Sequence, residues 1–413
     1  MLKTKKKFIL GRGPIKRSKM RWPVRLAAVC ALLFIPWQAY VLTQTSDVTA
    51  RVKHKLLGVS VTVGDTGPAP APELRNLADP LHDYGIAIGP DVLQLDDAAL
   101  QKRLAAMQAV GIGWVRVPIA WQDVQPRGPN DYTWTAYDRV IRALGKYQFK
   151  MIATLYSAPV WAKGACSAAC PFANANQFAA FAARAATHYQ PMGVQIWEVW
   201  SEPNTAASWQ AQPDAIAYAK LLQATYPAIR QANPQAIVIT GGLSPHPTDD
   251  DHIAEIEYLP QLYAAGAKGY FDAVGAHPYT YPFIPSHNSQ QGWSRMSQTA
   301  NNLRQTMIAN GDAVKKIWIT DFGAPTSGTG AAATMENHRT QDATHVDEEV
   351  QAQIITKAAE LYRGYDWTGP LIWTTYADPG VVLPTGEQDF GIVHADGSKK
   401  PAYAAIQAAL ASQ

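Results

Sequence analysis

Two carboxylates of the chain stand where proton transfer and nucleophilic attack could be staged. Glu202 lies near the end of the run VQIWEVWSEPN from Val194, and Asp321 lies in KIWITDFGAPT from Lys316. Each follows a short apolar stretch of strand length, at the point where a strand meets its loop. A pair so placed suits cleavage of a glycosidic bond. One carboxyl protonates the departing oxygen, the other attacks the anomeric carbon or activates water, and their separation sets the stereochemical outcome.

Other chemistries lack the residues to carry them. No glycine-rich phosphate fingerprint follows the first strand-like run, and no HExxH, GxSxG or dense His/Cys cluster occurs. No cofactor and no metal is expected. The aromatic content, 13 Trp, 18 Tyr and 10 Phe in 413 residues, suits flat apolar ligand faces instead. With 47% hydrophobic residues and 3 cysteines, the chain is neither disordered nor a disulfide-stapled mini-protein.

The elements that must position the two carboxylates form a repeating pattern. Eight strand-length apolar runs are visible: YGIAIGP from Tyr84, GIGWVRVPIAW from Gly111, FKMIATLYSAP from Phe149, VQIWEVWSEPN from Val194, AIVITGGLSP from Ala236, FDAVGAHPYTY from Phe271, KIWITDFGAPT from Lys316 and PLIWTTYADPG from Pro370. Amphipathic stretches lie between them. In DDAALQKRLAAMQAVG, Leu100, Leu104, Met107 and Val110 recur at helical spacing and Gly111 suits the C-terminal cap. DEEVQAQIITKAAELYRG from Asp347 repeats the pattern.

Alternation of this kind predicts an α/β fold, a (β/α)8 TIM barrel forming a single catalytic domain over 82–413, with its site at the C-terminal strand ends. Trp121, Tyr156, Glu202, His277, Tyr279, Asp321 and Trp373 all fall at or just past such ends. Strands four and seven lie on opposite parts of a barrel rim, so Glu202 and Asp321 are expected to face each other. Trp114, Trp197 and Trp318 lie within runs and read as core. Trp121, Trp161, Trp209 and Trp373 lie at ends or in loops, where an indole can stack on a sugar ring. Glu198 is expected on the same strand side as Trp200 and Glu202, in an interior ion pair, with Arg116 as its partner or that of Asp321.

The region before the barrel has a different character. Ten Lys or Arg residues occur between Lys3 and Arg25, and the first acid is Asp47. Removing those ten from the 36 basic residues leaves 26 against 33 acids, so the formal net charge of +3 conceals a body near −7. That balance disfavours a nucleic-acid partner. Residues 1–25 read as a basic cytoplasmic segment and 26–42 (LAAVCALLFIPWQAYVL) as a transmembrane anchor or the core of a cleaved signal. Residues 43–81, rich in Pro, Gly and Ala, read as a linker. The barrel is therefore expected to be exported, on the periplasmic or extracellular face of an inner or plasma membrane to which 26–42 anchor it. In that oxidising compartment Cys166 and Cys170 suit a local disulfide, with two free thiols or half a metal site as alternatives.

Several segments resemble clan A glycoside hydrolases, in style closest to family 39 and its bacterial exopolysaccharide-associated members. WEVWSEPN resembles the W-E-x-W-N-E-P-N signature, which implies that Glu202 is the acid/base. IWITDFG resembles the strand-seven segment and implies Asp321 as nucleophile. Substrate contacts are expected at Trp121 and Tyr156 from their strand-end positions, and at Ser201, Asn204, His277, Tyr279 and the strand-eight Trp373, with Arg116, which the resemblance places against the nucleophile. Two residues depart from the pattern. Ser201 replaces an Asn that holds the sugar 2-hydroxyl. Asp321 replaces a Glu, withdrawing the carboxylate by on the order of 1.5 Å, and a misplacement of that size can cost about 10²-fold in rate. The implied function is hydrolysis of a β-linked polysaccharide or oligosaccharide with retention, linked to exopolysaccharide metabolism. The alternative is a catalytically impaired carbohydrate-binding or polysaccharide-assembly protein on the same barrel.

Overall fold

The computed structural model describes residues 84–163, 174–286, 292–336, 343–380 and 389–412. Strands and principal helices alternate along the described chain: β1 (Tyr84–Ala87), α1 (Asp97–Val110), β2 (Trp114–Ala120), α2 (Thr135–Lys146), β3 (Lys150–Tyr156), α3 (Ala175–Tyr189), β4 (Ile196–Val199), α4 (Ala215–Ala232), β5 (Ile237–Thr240), α5 (Glu255–Ala264), β6 (Val274–Ala276), α6 (Leu303–Ala309), β7 (Ile317–Phe322), α7 (Glu348–Tyr362), β8 (Thr368–Thr374) and α8 (Pro401–Ala411). The strands are parallel and ordered β5-β4-β3-β2-β1-β8-β7-β6. Bridges between Ile239 and Ala273 and between Leu243 and Ala276 join β5 to β6. The ring so formed is the expected (β/α)8 barrel.

Local sequence accounts for the helix boundaries. At α1 the Asp96 carboxylate caps the first turn by accepting the Ala99 N–H at 2.7 Å, and Gly111 closes it at φ 99°, a backbone shape that favours glycine. Leu100, Leu104, Met107 and Val110 are its buried face, as the spacing predicts. Truncating the fully buried Leu104 to Ala would cost about 2–5 kcal/mol.

The core has two layers because strand side chains alternate. Ala87, Trp114, Ile152, Ile196, Ile237, Ile239, Ala273, Trp318 and Ile372 form a cluster of their own inside the ring. Trp114 and Trp318 meet there edge to face, with centroids 5.6 Å apart. Two residues further along their strands, the inward series continues with Arg116, Thr154, Glu198 and Thr374. The outward positions join the much larger cluster beneath the helices.

That alternation corrects two expectations. Trp121 is fully buried in the outer layer, edge-on to Phe178 and stacked on Phe181 of α3. Trp373 is 1% exposed, between Tyr84 at 6.2 Å and Phe322 at 5.7 Å. Neither offers a face to a ligand. A position at a strand end does not say which side of the sheet its residue faces. Trp209 is also buried, against Trp200 and Tyr218, whereas Trp161 stays half-buried. Residues 1–42, the linker 43–81, and Cys166 and Cys170 lie outside the described residues. Among the described residues, no helix is long and apolar enough to cross a membrane.

Candidate active site

Glu202 reaches the barrel mouth through an unusual turn. Trp200 and Glu202 both adopt positive φ, 71° and 47°. Left-handed non-glycine residues cost on the order of 1–3 kcal/mol each and persist where the surroundings over-determine them. Here the turn breaks the expected sidedness of β4. Glu198 points inward, but the Trp200 indole goes to the outer layer, its Nε1–H donating to the Ser208 carbonyl at 3.0 Å. The Glu202 N–H donates to the Gly242 carbonyl at 3.1 Å. Asn204, expected at a sugar, is fully buried instead. Its amide nitrogen donates to the Ser244 and Ile253 carbonyls and its oxygen accepts the Ser244 N–H, so it ties the loops after β4 and β5 together.

Asp321 is aimed by a bulge. Along β7, Ile319 pairs with Leu371 but Phe322 pairs with Trp373, so three steps on β7 oppose two on β8. The extra residue lets two neighbours, Thr320 and Asp321, both face the interior. Asp321 Oδ2 accepts Arg116 Nη1 at 3.1 Å, whereas Oδ1 is buried and has no hydrogen-bond partner.

One polar network joins the two carboxylates. Arg116 donates Nε to Glu198 Oε2 at 2.7 Å, Nη1 to Asp321 and Nη2 to Ser201 Oγ at 3.1 Å. Glu198, with no exposure, also accepts the Thr154 and Thr320 hydroxyls at 2.5 and 2.7 Å and the Gly242 N–H at 3.1 Å. His277 completes the path. Its Nε2 lies 3.1 Å from Thr320 Oγ1 and its Nδ1 2.9 Å from Glu202 Oε1. A Cβ on Gly242 would stand 2.1 Å from His277 Nε2, so only glycine admits the imidazole.

The donors fix where one proton resides. The hydroxyl proton of Thr320 goes to Glu198, so the Thr320 oxygen accepts and His277 Nε2 must carry a hydrogen. The Nδ1–Glu202 contact then needs a proton of its own. It is shared as imidazolium with carboxylate, or as carboxyl with neutral imidazole.

Charge and burial set the balance. Burial pushes the Glu202 carboxyl up, but the His277 hydrogen bond and charge, with His246 and Ser208 assisting, hold it below the ordinary range. Asp321 is raised, chiefly by burial and further by the Glu202 charge, while Arg116, His277 and Tyr279 pull it back. At Glu198 burial is overcome by Arg116, His277, Thr154 and Thr320, and the carboxyl stays low.

Of the other sequence candidates, Arg116 and His277 are buried and fully engaged with protein groups, so they organise the carboxylates. Tyr156, Ser201 and Tyr279 keep partial exposure at the mouth. Sequence reasoning passed over Thr154, Thr320, Gly242, Ser208, Tyr281 and Phe390. For the two threonines a signal was present, since Thr154 stands two residues before Tyr156 on an inward-facing strand and Thr320 adjoins Asp321. Among the described residues, no group of three or more His, Cys, Asp or Glu could hold a metal ion.

A (β/α)8 barrel carrying carboxylates past β4 and β7 defines a clan A glycoside hydrolase domain. The cellulase family model, glycosyl hydrolase family 5, matches residues 93–366, a stretch that contains both Glu202 and Asp321, and the chain belongs to this family. Solved structures share the barrel. A family 39 glycoside hydrolase from Bacteroides cellulosilyticus WH2 is 20% identical, with TM-score 0.60 over 80% of this chain and 63% of that one. A monomeric β-xylosidase from Caulobacter crescentus CB15 is 17% identical, with TM-score 0.58 over 80% and 68%. Xylanase 10B from Thermotoga petrophila RKU-1 is 16% identical, with TM-score 0.54 over 82% and 97%. At these identities the likeness is one of fold. This chain spans less than two thirds of the Bacteroides enzyme. No curated protein matches the chain.

Proposed function

We propose that the chain is a retaining glycoside hydrolase acting on a β-linked polysaccharide or oligosaccharide, with Glu202 as acid/base and Asp321 as nucleophile. The observation that carries this reading is the continuous buried path Glu202–His277–Thr320–Glu198–Arg116–Asp321. Two carboxylates past opposite strands are tied to one scaffold, the paired arrangement that glycoside cleavage uses. In the first step the Asp321 carboxylate attacks the anomeric carbon while the leaving oxygen takes the proton from the Glu202 carboxyl. In the second, Glu202 takes a proton from water as that water displaces Asp321. Arg116 offsets the Asp321 charge throughout.

The reading extends to the compartment. The basic leader and the apolar run 26–42 support an exported enzyme held at the inner or plasma membrane, working on a polysaccharide during its own secretion. A second reading, a glycan-binding protein of reduced activity, has support in the shorter carboxylate at 321 and in Ser201, whose Oγ already accepts from Arg116.

Turnover of aryl β-glycosides by the full chain, followed by proton NMR of the first-formed anomer, separates these readings. Retained configuration with turnover abolished by Glu202→Gln is the expected result. Inverted first product would remove Asp321 as nucleophile, and no turnover on any β-glycoside would favour the binding protein.

A further inference from the structure

The β8 residue that continues the inward series of Ile372 is Thr374, because Trp373 is committed to the outer layer. The strand therefore places a small side chain, not an indole, on its inward side. The aromatic surface on this side comes from loops. Tyr279 and Tyr281 beyond β6 and Phe390 beyond β8 are half-buried rings in mutual contact, with centroids 5.7 Å apart for Tyr279–Tyr281, 6.3 Å for Tyr279–Phe390 and 6.0 Å for Tyr281–Phe390. Tyr279 stacks on Phe322, the neighbour of Asp321, and interacts electrostatically with both Asp321 and Glu202. A Cβ on Gly323, two residues past Asp321, would stand 3.5 Å from Phe390 Cδ1. The three rings thus border the carboxylates.

Phe390 is held by polar groups on both sides. Its carbonyl accepts the Thr375 N–H at 3.1 Å, the next N–H, of Gly391, donates to Asp378 Oδ1 at 2.8 Å, and Ile392 N–H reaches the Tyr376 carbonyl at 3.1 Å. The preceding carbonyl, of Asp389, receives Thr326 Oγ1 at 2.8 Å and Lys400 Nζ at 3.0 Å. Lys400 is itself buried, its Nζ 2.8 Å from Asp378 Oδ2 and 2.8 Å from Thr326 Oγ1. A buried ammonium is expensive unless paired and hydrogen-bonded. This one has all its partners, and together they clamp the strap that carries Phe390. A ring fixed before its ligand arrives binds without a further ordering cost.

We propose that Phe390, flanked by Tyr281 and Tyr279, is the face on which a sugar ring stacks beside Asp321, in place of an inward-facing strand-eight tryptophan. The proposal rests on the glycoside hydrolase reading and names one subsite of it. The chemistry is contact between the C–H face of a pyranose and an aromatic ring, which needs a flat apolar surface with one side open.

The test uses the full chain carrying Glu202→Gln, with cellohexaose, xylohexaose and mannohexaose as probes in isothermal titration calorimetry. Adding Phe390→Ala or Phe390→Leu is expected to weaken the hexaose that binds by about tenfold. The leucine variant keeps apolar volume without a flat face, and Phe390→Trp is expected to restore affinity. Trp373→Phe is expected to lower the melting temperature and leave affinity unchanged. Unaltered affinity in a natively folded Phe390→Ala or Phe390→Leu protein overturns the stacking site and leaves the hydrolase reading standing. Turnover of an aryl β-glycoside by the unmutated chain, with no hexaose bound by the Glu202→Gln parent, likewise overturns the stacking site alone. Absence of both turnover and binding removes the hydrolase reading with it.

Discussion

Glu198 accepts the Nε of Arg116 at 2.7 Å in the fully buried interior, and this pairing turns the other two guanidinium nitrogens toward Asp321 and Ser201. A buried ion pair is a weak source of net stability, because desolvation offsets most of the attraction. Its effect here is orientation. Removing one partner leaves the other charge buried, which typically costs about 3–5 kcal/mol. Glu198→Gln is expected to lower the unfolding free energy by that order and to reduce turnover, since Arg116 loses its fixed direction. Denaturant unfolding and aryl-glycoside kinetics on the same preparations check it; wild-type stability would show that Arg116 finds its direction elsewhere.

His277 Nδ1 lies 2.9 Å from Glu202 Oε1. Burial alone would raise the Glu202 carboxyl, and the imidazole is the main group pulling it down. Removing the imidazole by His277→Leu should therefore let the Glu202 carboxyl rise. In a retaining mechanism the acid/base must be protonated for the first step, so the basic limb of kcat/KM against pH moves to higher pH. Turnover at the optimum is expected to fall by about 10²-fold, because the carboxyl also loses its positioning contact. A merely structural histidine would lower stability and leave the limb where it was.

Glu255 predicts a stability effect away from the carboxylate pair. It opens α5 at 2% exposure, and burial raises its carboxyl to about 7 although Arg295 at 3.3 Å works in the opposite direction. A raised folded value means the native state holds the proton more tightly than the unfolded chain. The contribution is complete below the ordinary carboxylate value and is lost as pH rises through about 7. The total is about 3 kcal/mol, at roughly 1.4 kcal/mol per unit. Glu255→Gln keeps the shape without the titration, so its stability is expected to vary less with pH and to exceed the wild type near pH 8. Thermal unfolding from about pH 5 to 8 reads it directly, and parallel profiles would sink the idea.

The barrel was legible because each strand is a short apolar run closed by Gly, Pro, Ser or Asp, and each helix such as α1 carries its own cap and spacing. Glu202, Asp321, Arg116 and His277 came together because strand ends of a parallel barrel converge wherever they fall in sequence. What stayed hidden was sidedness and loop path. Trp121 and Trp373 end their runs but face outward, and Trp200 leaves its expected side through a positive φ that no neighbouring residue announces. Phe390 carries no local signal, since its position depends on Lys400, Asp378 and Thr326, brought together only by the fold. The family resemblance is borne out, a clan A domain with family 39 enzymes among the structures that share its fold. The matching family model is family 5, whereas the style of the motifs pointed to family 39.

The sharpest test of the site is the residue that departs from the clan pattern. A shorter carboxylate at 321 would misplace the attacking oxygen if the backbone ran as a regular strand. It does not, because the bulge before Phe322 turns Thr320 and Asp321 inward together and brings Oδ2 to 3.1 Å from Arg116. If the bulge offsets the missing methylene, lengthening the side chain is harmful. Asp321→Glu would push its carboxylate into Arg116, already held by Glu198 and Ser201, or bend away from the anomeric carbon. Turnover is expected to fall by about 10²-fold, with oligosaccharide affinity in the Glu202→Gln background nearly unchanged. An Asp321→Glu variant at least as active as the wild type would show that the backbone does not compensate and that the native site is catalytically impaired. Calorimetry of the double variant and kinetics of the single one distinguish loss of geometry from loss of binding.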